Sequence, residues 1–282
     1  MTLISVLMPV YKPEPVFLEE AVRSILEQDY RDLELVVVED PSPTNGREVL
    51  ESFHDDRIKY HLNDKRTSLR EQLNLGLSLC EGDYIARMDA DDISYPSRIE
   101  KQIRYMLAHQ EINVLGTNLD YISKTGRSLG SRRYPENHEE IIRDLQFYSP
   151  MAHATVIIRK ADYLTMGGYK DSAPIEDWYL WCRMYQAGMK FHNIQEPLYA
   201  YRQHSGMGKY KNLKGTLKAG IKLKETYFRH DRGRWGLRAR LRCRVEAILT
   251  HVPAPVVFAL FLAHATFIQN RGRFAKKAKE SP

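Results

Sequence analysis

Residues 3–10, LISVLMPV, and residues 33–38, LELVVV, decide the fold. Each is a nearly continuous apolar run of strand length, and the second is rich in β-branched residues. Such runs suit strands buried on both faces, as in a parallel sheet covered by helices. The segment between them agrees, because Leu18, Ala21, Val22, Ile25 and Leu26 recur at helical spacing. Working outward, residues 45–53 read as a helix and Ile58–Leu62 as a weaker strand. Leu69, Leu73, Gly76, Leu77 and Cys80 mark a further helix face, and Glu81-Gly82 turns into a fourth strand at 83–88. Strands alternating with helices predict an α/β fold with right-handed crossovers and a mostly parallel sheet.

Beyond Asp92 the spacing predicts a helix over 96–109, with Pro96 in its first turn. Strands over 113–134 surround a Lys124-Thr125-Gly126 turn. A helix at 138–147, a strand at 155–159 and a helix at 176–187 stopped by Gly188 follow. Short strands at 190–194 and 198–202 close the body. The expected organisation is a domain of two halves, 1–95 and 96–205, and a helical appendage at 206–282.

The 282 residues are 43% hydrophobic and 28% charged, which is globular usage and excludes disordered and disulfide-scaffold classes. Cys80, Cys182 and Cys243 match no metal or redox spacing, so a reducing compartment is expected. The N-terminal MTLISVLMPVY lacks the pattern of a signal peptide, which predicts a chain that starts in the cytosol. The net charge of +6 is unevenly spread: residues 205–282 carry 18 Lys and Arg against 4 Asp and Glu, and the residues before them 24 against 32.

In open α/β sheets, ligands bind beyond the carboxyl ends of the strands. Pro9 and Tyr11 follow the first strand, Glu39 and Asp40 the second, Asp64, Lys65 and Arg66 the third, and Asp89, Asp91 and Asp92 the fourth. Together they outline one cleft. Asp89 and Asp91, two residues apart, can face one ligand, and clustered carboxylates call for a divalent cation such as Mg2+ or Mn2+. Asp92 by itself reads as a helix cap before Pro96. Asp40 either accepts hydrogen bonds from a nucleobase or caps the turn after it, and Tyr11 either stacks on a base or half-fills the core. No GxGxxG or GxxxxGK[ST] is present, so dinucleotide-binding and P-loop readings fall away. Glu176-Asp177-Trp178 opens a helix whose dipole alone favours the two acids; the functional alternative makes one a general base. Gly167-Gly168-Tyr169 is either a close approach to substrate or a helix stop. Arg202 is a candidate phosphate contact and His204 a candidate phosphate or metal ligand; His153 is equally open.

SVLMPVYK at 5–12, VVVED at 36–40, EGDYIARMDADDISYPSRIEKQ at 81–102, GGY at 167–169 and IEDWYLW at 175–181 resemble the family-2 glycosyltransferases. The resemblance spans about residues 3–204 and is nearest to bacterial enzymes that build O-antigen, capsule or exopolysaccharide. It implies the GT-A fold, a nucleotide-sugar donor (UDP on family frequency) and inversion at the anomeric carbon. It further implies nucleoside contacts from Pro9, Tyr11 and Asp40. Asp91 takes the last position of the DxD metal motif, with Asp89 as its first carboxylate and a sugar or ribose contact, and Asp177 takes that of the catalytic base; Glu176 and Trp178 fall on the acceptor side. Beside these, residue type alone adds Arg70 and Arg202 as donor-side candidates, His204 as a candidate metal ligand and His153 as an acceptor-side candidate. Two positions depart from the family pattern: Pro41 replaces a glycine after Asp40, and Arg66-Thr67-Ser68 replaces a glycine-containing loop.

Two other classes compete. A sugar nucleotidyltransferase resembles a Gly-rich basic loop after the first strand, where this chain has Tyr11-Lys12-Pro13-Glu14. A nucleic-acid-binding protein would use the basic tail, but the acidic body argues for no nucleic acid. The tail instead suggests an anionic membrane surface. Leu213, Leu217, Ile221 and Phe228 share one helical face while Lys211, Lys214, Lys218 and Lys222 form another stripe, and 247–270 is a charge-free run between basic clusters. Pro253, Pro255 and basic flanks at both ends favour an interfacial element over a full span. The expected location is the cytoplasmic face of a bacterial inner membrane, beside a polyprenyl-linked glycan acceptor.

Overall fold

A computed structural model describes residues 2–170, 175–203, 213–228, 237–253 and 256. The chain divides into two units, Met1–Gly206 and Met207–Pro282.

The first unit is built on a nine-stranded sheet. Its opening half follows the apolar runs: β1 (Ile4–Val10), α1 (Pro15–Leu26), β2 (Leu33–Glu39), α2 (Arg47–Glu51), β3 (Ile58–Leu62), α3 (Leu69–Leu79) and β4 (Tyr84–Arg87). Every residue of β1 and β2 is buried, as continuous apolar strands between two helical layers require. The strands lie in the order β3-β2-β1-β4, all parallel. Ser68 starts α3 with a capping box, accepting from Glu71 N–H while the Glu71 carboxylate accepts from Ser68 N–H.

The second half comprises β5 (Ile93–Ser94), α4 (Arg98–Ala108), β6 (Ile112–Ser123), β7 (Ser128–Arg132), α5 (His138–Leu145), β8 (Ile157–Arg159), α6 (Lys160–Met166), α7 (Glu176–Gln186) and β9 (Lys190–Gln203). The sheet continues β4-β8-β6-β9-β5, with β7 on β6. Here β8 is antiparallel to both neighbours, and β6 and β9 run parallel. One sheet therefore runs through both halves and brings the ends of β4, β6 and β9 together.

Several boundaries differ from the sequence reading. Pro96 lies before α4, whose N-cap is Ser97, and its carbonyl accepts from Asp29 N–H. The two short strands expected at 190–194 and 198–202 are one strand, β9, with register shifts against β6 around Pro197, which has no N–H for the ladder. Helix α6 and strand β5 carry too few residues to show periodicity.

In the second unit, α8 (Leu213–Phe228) and α9 (Leu237–Leu249) pack on each other. Leu217, Leu223 and Phe228 of α8 and Ala239 and Cys243 of α9 are buried, with Ile221 half-buried. Lys224, also buried, pairs with Glu246. Leu237, Leu241, Val245 and Ile248 of α9 are exposed. Among the described residues, no helix is long and apolar enough to cross a membrane; most of the charge-free 247–270 run, Lys211 and the side chain of Leu213 lie outside them.

Candidate active site

Beyond Arg87 the chain turns through Asp89-Ala90-Asp91-Asp92 into β5. Oxygens of Asp89, Asp91 and Asp92 all lie within 4.8 Å of one another. Three carboxylates this close repel. Beneath them the buried Arg87 pairs with Asp89 Oδ2 at 2.5 Å. Burial opposes the Arg87 charge, but Asp89 outweighs it and raises the guanidinium above its ordinary value. Asp92 is 1% exposed, so burial first, then the charges of Asp89 and Asp91, push its carboxyl well above the usual range. Its Oδ1 accepts Arg202 N–H at 2.7 Å, while the buried Oδ2 has no well-formed hydrogen bond. Hard oxygen donors with one buried orphan fit Mg2+ or Mn2+. Asp92 therefore joins Asp89 and Asp91 in the candidate metal site and is no helix cap.

Arg202 fixes this turn from β9. Nε donates to the Asp91 carbonyl at 2.8 Å and Nη1 to the Lys124 carbonyl at 3.0 Å; Nη2 pairs with Glu20, and the guanidinium lies 4.5 Å from the Phe17 ring centroid. Its side chain is 1% exposed. The phosphate contact expected of Arg202 gives way to positioning, because its donors are spent inside the protein. Strand β5 adds two ladder pairs to β9, Ile93 with Ala200 and Ser94 with Tyr199. His204 lies outside the described residues.

A second acidic pair opens α7. Asp177 is half-buried and its Oδ2 accepts from Ser149 Oγ at 2.9 Å. Glu176 is buried; burial, then the Asp177 charge, raise it to about 7, with Asp89 adding and Arg87 opposing. His153 Nδ1 stands 4.0 Å from Glu176, and its Nε2 meets the Tyr169 hydroxyl at 2.8 Å. Burial and then the Arg87 charge hold His153 well below its ordinary value, so it is neutral near pH 7. Arg87 thus acts on both acidic groups, which brings the metal candidates and the base candidate to one site.

Tyr169 is held there by Asn74, whose side chain bonds both its N–H and its carbonyl at 2.8 Å. Gly167 and Gly168 have φ of +64° and +68°. Gly167 ends α6, and a Cβ on Gly168 would stand 2.4 Å from Asn74 Oδ1, so the pair combines a helix stop with a close approach to a side chain. Trp178 is buried and donates to the Leu145 carbonyl at 2.7 Å. This bond ties α7 to α5.

The donor-side candidates lie at the ends of β1 and β2. Pro9 is buried where the β1–β4 ladder has already ended at Leu7 and Arg87, so its missing N–H costs no bond. Tyr11 is half-exposed, with the Arg66 guanidinium 4.5 Å and Lys12 Nζ 5.3 Å from its ring centroid. Asp40 is buried; it accepts from Asn63 Nδ2 at 2.7 Å, Thr67 N–H at 2.7 Å and Thr67 Oγ1 at 2.8 Å. This pins the loop in which Arg66-Thr67-Ser68 stands, a structural use that neither sequence alternative foresaw. Arg70 is half-buried and donates to the Lys170 carbonyl at 3.3 Å.

Sequence reasoning missed Arg87 and Ser149. Arg87 was visible only as a charge inside an apolar strand, two residues before Asp89.

Residues 5–165 match the family model described as Glycosyl transferase family 2. The chain is 35% identical over 208 residues to the putative glycosyltransferase EpsE of Bacillus subtilis, covering 72% of this chain and 73% of that protein. It is 33% identical over 214 residues to the O-antigen biosynthesis glycosyltransferase WbnJ of Escherichia coli, covering 72% and 80%. Among solved structures, S. aureus TarS 1-349 in complex with UDP-GlcNAc superposes with a TM-score of 0.64 at 18% identity, covering 80% of this chain and 67% of that one, and so shares the GT-A fold. With a family model matching more than half its length, and with its motifs gathered in one site, this chain belongs to glycosyl transferase family 2.

Proposed function

We propose that this glycosyltransferase is metal-dependent and inverting, and that it moves a hexose from a UDP-sugar to a hydroxyl of a glycan acceptor in bacterial surface polysaccharide synthesis. The observation that carries the reading is the meeting of the Asp89–Asp91–Asp92 trio and the Glu176–Asp177 pair around one buried cation, Arg87.

Asp89, Asp91 and Asp92 would hold Mg2+ or Mn2+. A divalent cation there supplies charge neutralisation for the leaving diphosphate. Arg202 keeps the Asp91 backbone in place through its carbonyl. Tyr11 and Pro9 border the nucleoside side, and Arg66 beside Tyr11 adds positive charge there. Asp177, oriented by Ser149, takes the proton from the acceptor hydroxyl as that oxygen attacks the anomeric carbon from the face opposite the diphosphate. One base and one leaving group suffice, so no covalent sugar–enzyme intermediate forms. Glu176, half-protonated near neutral pH, limits the negative charge beside the base.

The acceptor is proposed to be polyprenyl-diphosphate-linked and to be met at the cytoplasmic membrane face. Exposed Leu237, Leu241, Val245 and Ile248 on α9, with exposed Arg240 and Arg244, support docking on an anionic surface. The test is incubation with UDP-hexoses, manganese and a lipid-linked glycan, following UDP release and product anomericity. UDP release with a β-linked product from an α-linked donor is expected; pyrophosphate release overturns the reading.

A further inference from the structure

The arginines that are buried or half-buried around the site are committed to partners. Arg87 pairs with Asp89, Arg98 with Gln102 and the Arg87 carbonyl, Arg183 with the carbonyls of Met166 and Gly168, and Arg202 with Asp91, Lys124 and Glu20. Arg132, the last residue of β7, differs. It is half-buried; its guanidinium has the Tyr121 hydroxyl as a hydrogen-bond partner, and no carboxylate or carbonyl pairs with it among the described residues. The guanidinium lies 4.6 Å from the ring centroid of the buried Tyr134. Burial works against its charge, but the phenols of Tyr134, Tyr121 and Tyr148 outweigh this and raise it above its ordinary value.

These three tyrosines join the two acidic groups. Tyr121 meets Tyr201 edge-on, with centroids 6.0 Å apart, and Tyr201 lies in the field of Asp89, Asp92 and Asp91. On the other side Tyr134 lies in the field of Asp177, and Tyr148 precedes Ser149, the residue that donates to Asp177. Arg132 is thus a permanently charged, forked donor without an anion, walled by aromatic rings and linked to the candidate base through Tyr134, which lies in the field of Asp177. Such a guanidinium is suited to bidentate binding of a phosphate or carboxylate. A divalent cation held by the aspartate trio would supply the counter-charge of the donor diphosphate, so a cation on the Asp177 side is left for the molecule whose hydroxyl Asp177 would deprotonate.

Resting on the transferase reading above, we propose that Arg132 binds a phosphate or diphosphate group carried by the acceptor, next to the sugar that is extended. Tyr121, Tyr134 and Tyr148 line this seat.

The test is calorimetric titration of the full-length protein, held in saturating UDP and manganese, with octyl diphosphate as the probe. Wild type binds it, Arg132→Gln weakens binding about tenfold or more, and Arg132→Lys falls between, since an ammonium keeps the charge without the fork. UDP affinity with manganese, measured separately, is equal in all three, which also verifies folding. Octyl diphosphate binding that is unchanged in Arg132→Gln overturns the proposal. An equal loss of UDP affinity overturns it by moving Arg132 to the donor. Arg132-dependent binding of glucuronate, without that of octyl diphosphate, overturns the phosphate assignment. Failure of the transferase reading shows elsewhere, as absent UDP-sugar turnover with Arg132-dependent probe binding intact.

Discussion

The two acidic groups of the site face the same electrostatic problem and meet it differently. In the Asp89–Asp91–Asp92 turn, negative charge is balanced by a buried guanidinium and by a donor set that fits a divalent cation. At the start of α7, Glu176 holds its proton up to about 7, so Asp177 does not stand beside a second full charge. Each cluster holds one buried carboxyl raised above the usual range, Asp92 in the turn and Glu176 at the helix start. The neighbours differ: Asp92 stands in a set of three carboxylates that fits a cation, whereas Glu176 stands beside a single further acid, Asp177.

This contrast can be broken by substitution. Asp177→Asn removes the proton acceptor while keeping the shape, so transfer should fall by about three orders of magnitude with UDP affinity retained. Near-normal turnover in a steady-state assay would remove Asp177 from the role of base. At Glu176 the sign follows from the raised value. Its stabilising contribution is complete below pH 4.5, the unperturbed carboxyl, and declines as pH rises through about 7. Glu176→Gln should therefore gain stability relative to wild type at pH 8 but not at pH 4.5, by at most about 3 kcal/mol. Thermal melts at the two pH values measure the difference, and a gain that is the same at both would show that Glu176 is ordinarily ionised.

The aspartate trio predicts the opposite dependence, on metal rather than on proton. Asp91→Asn should weaken UDP binding about tenfold to a hundredfold in manganese and hardly at all in EDTA. Calorimetry with equal losses in both would separate Asp91 from any cation. The smallest effect concerns the support of the turn. Arg202→Lys cannot reach the Asp91 carbonyl, the Lys124 carbonyl and Glu20 together, so about 1–2 kcal/mol of stability should be lost. Urea unfolding midpoints indistinguishable from wild type would show that the turn is held by the β5–β9 ladder instead.

Much of this was legible in the chain. β1 and β2 read as buried strands because strands covered on both faces must be apolar throughout, and Ile58–Leu62 was bounded to the residue although it is only partly buried. Asp89 and Asp91 were singled out from residue type and position at a strand end, and the structure gathers them with Asp92; Asp177 was singled out at a helix start with the help of the family resemblance. Asp92 was read as a cap, since a single acid before Pro96 looks the same whether it caps a helix or faces two other carboxylates. Trp178 and Arg202 looked available to ligands because a sequence shows a donor but not what already occupies it.

The amino-acid order by itself determined the alternation of strands and helices, the edge of the sheet where acidic residues collect, and the division into an acidic body and a basic tail. These follow from local periodicity, from chain direction in a parallel sheet and from charge. Only the tertiary structure decided which charges are spent and which remain. Arg202 reaches Asp91 across 111 positions and Glu20 across 182, while Arg132 meets rings rather than carboxylates. Partner choice at such separations depends on how β6, β7 and β9 are laid against β5 and α1, and no local pattern in the chain encodes that.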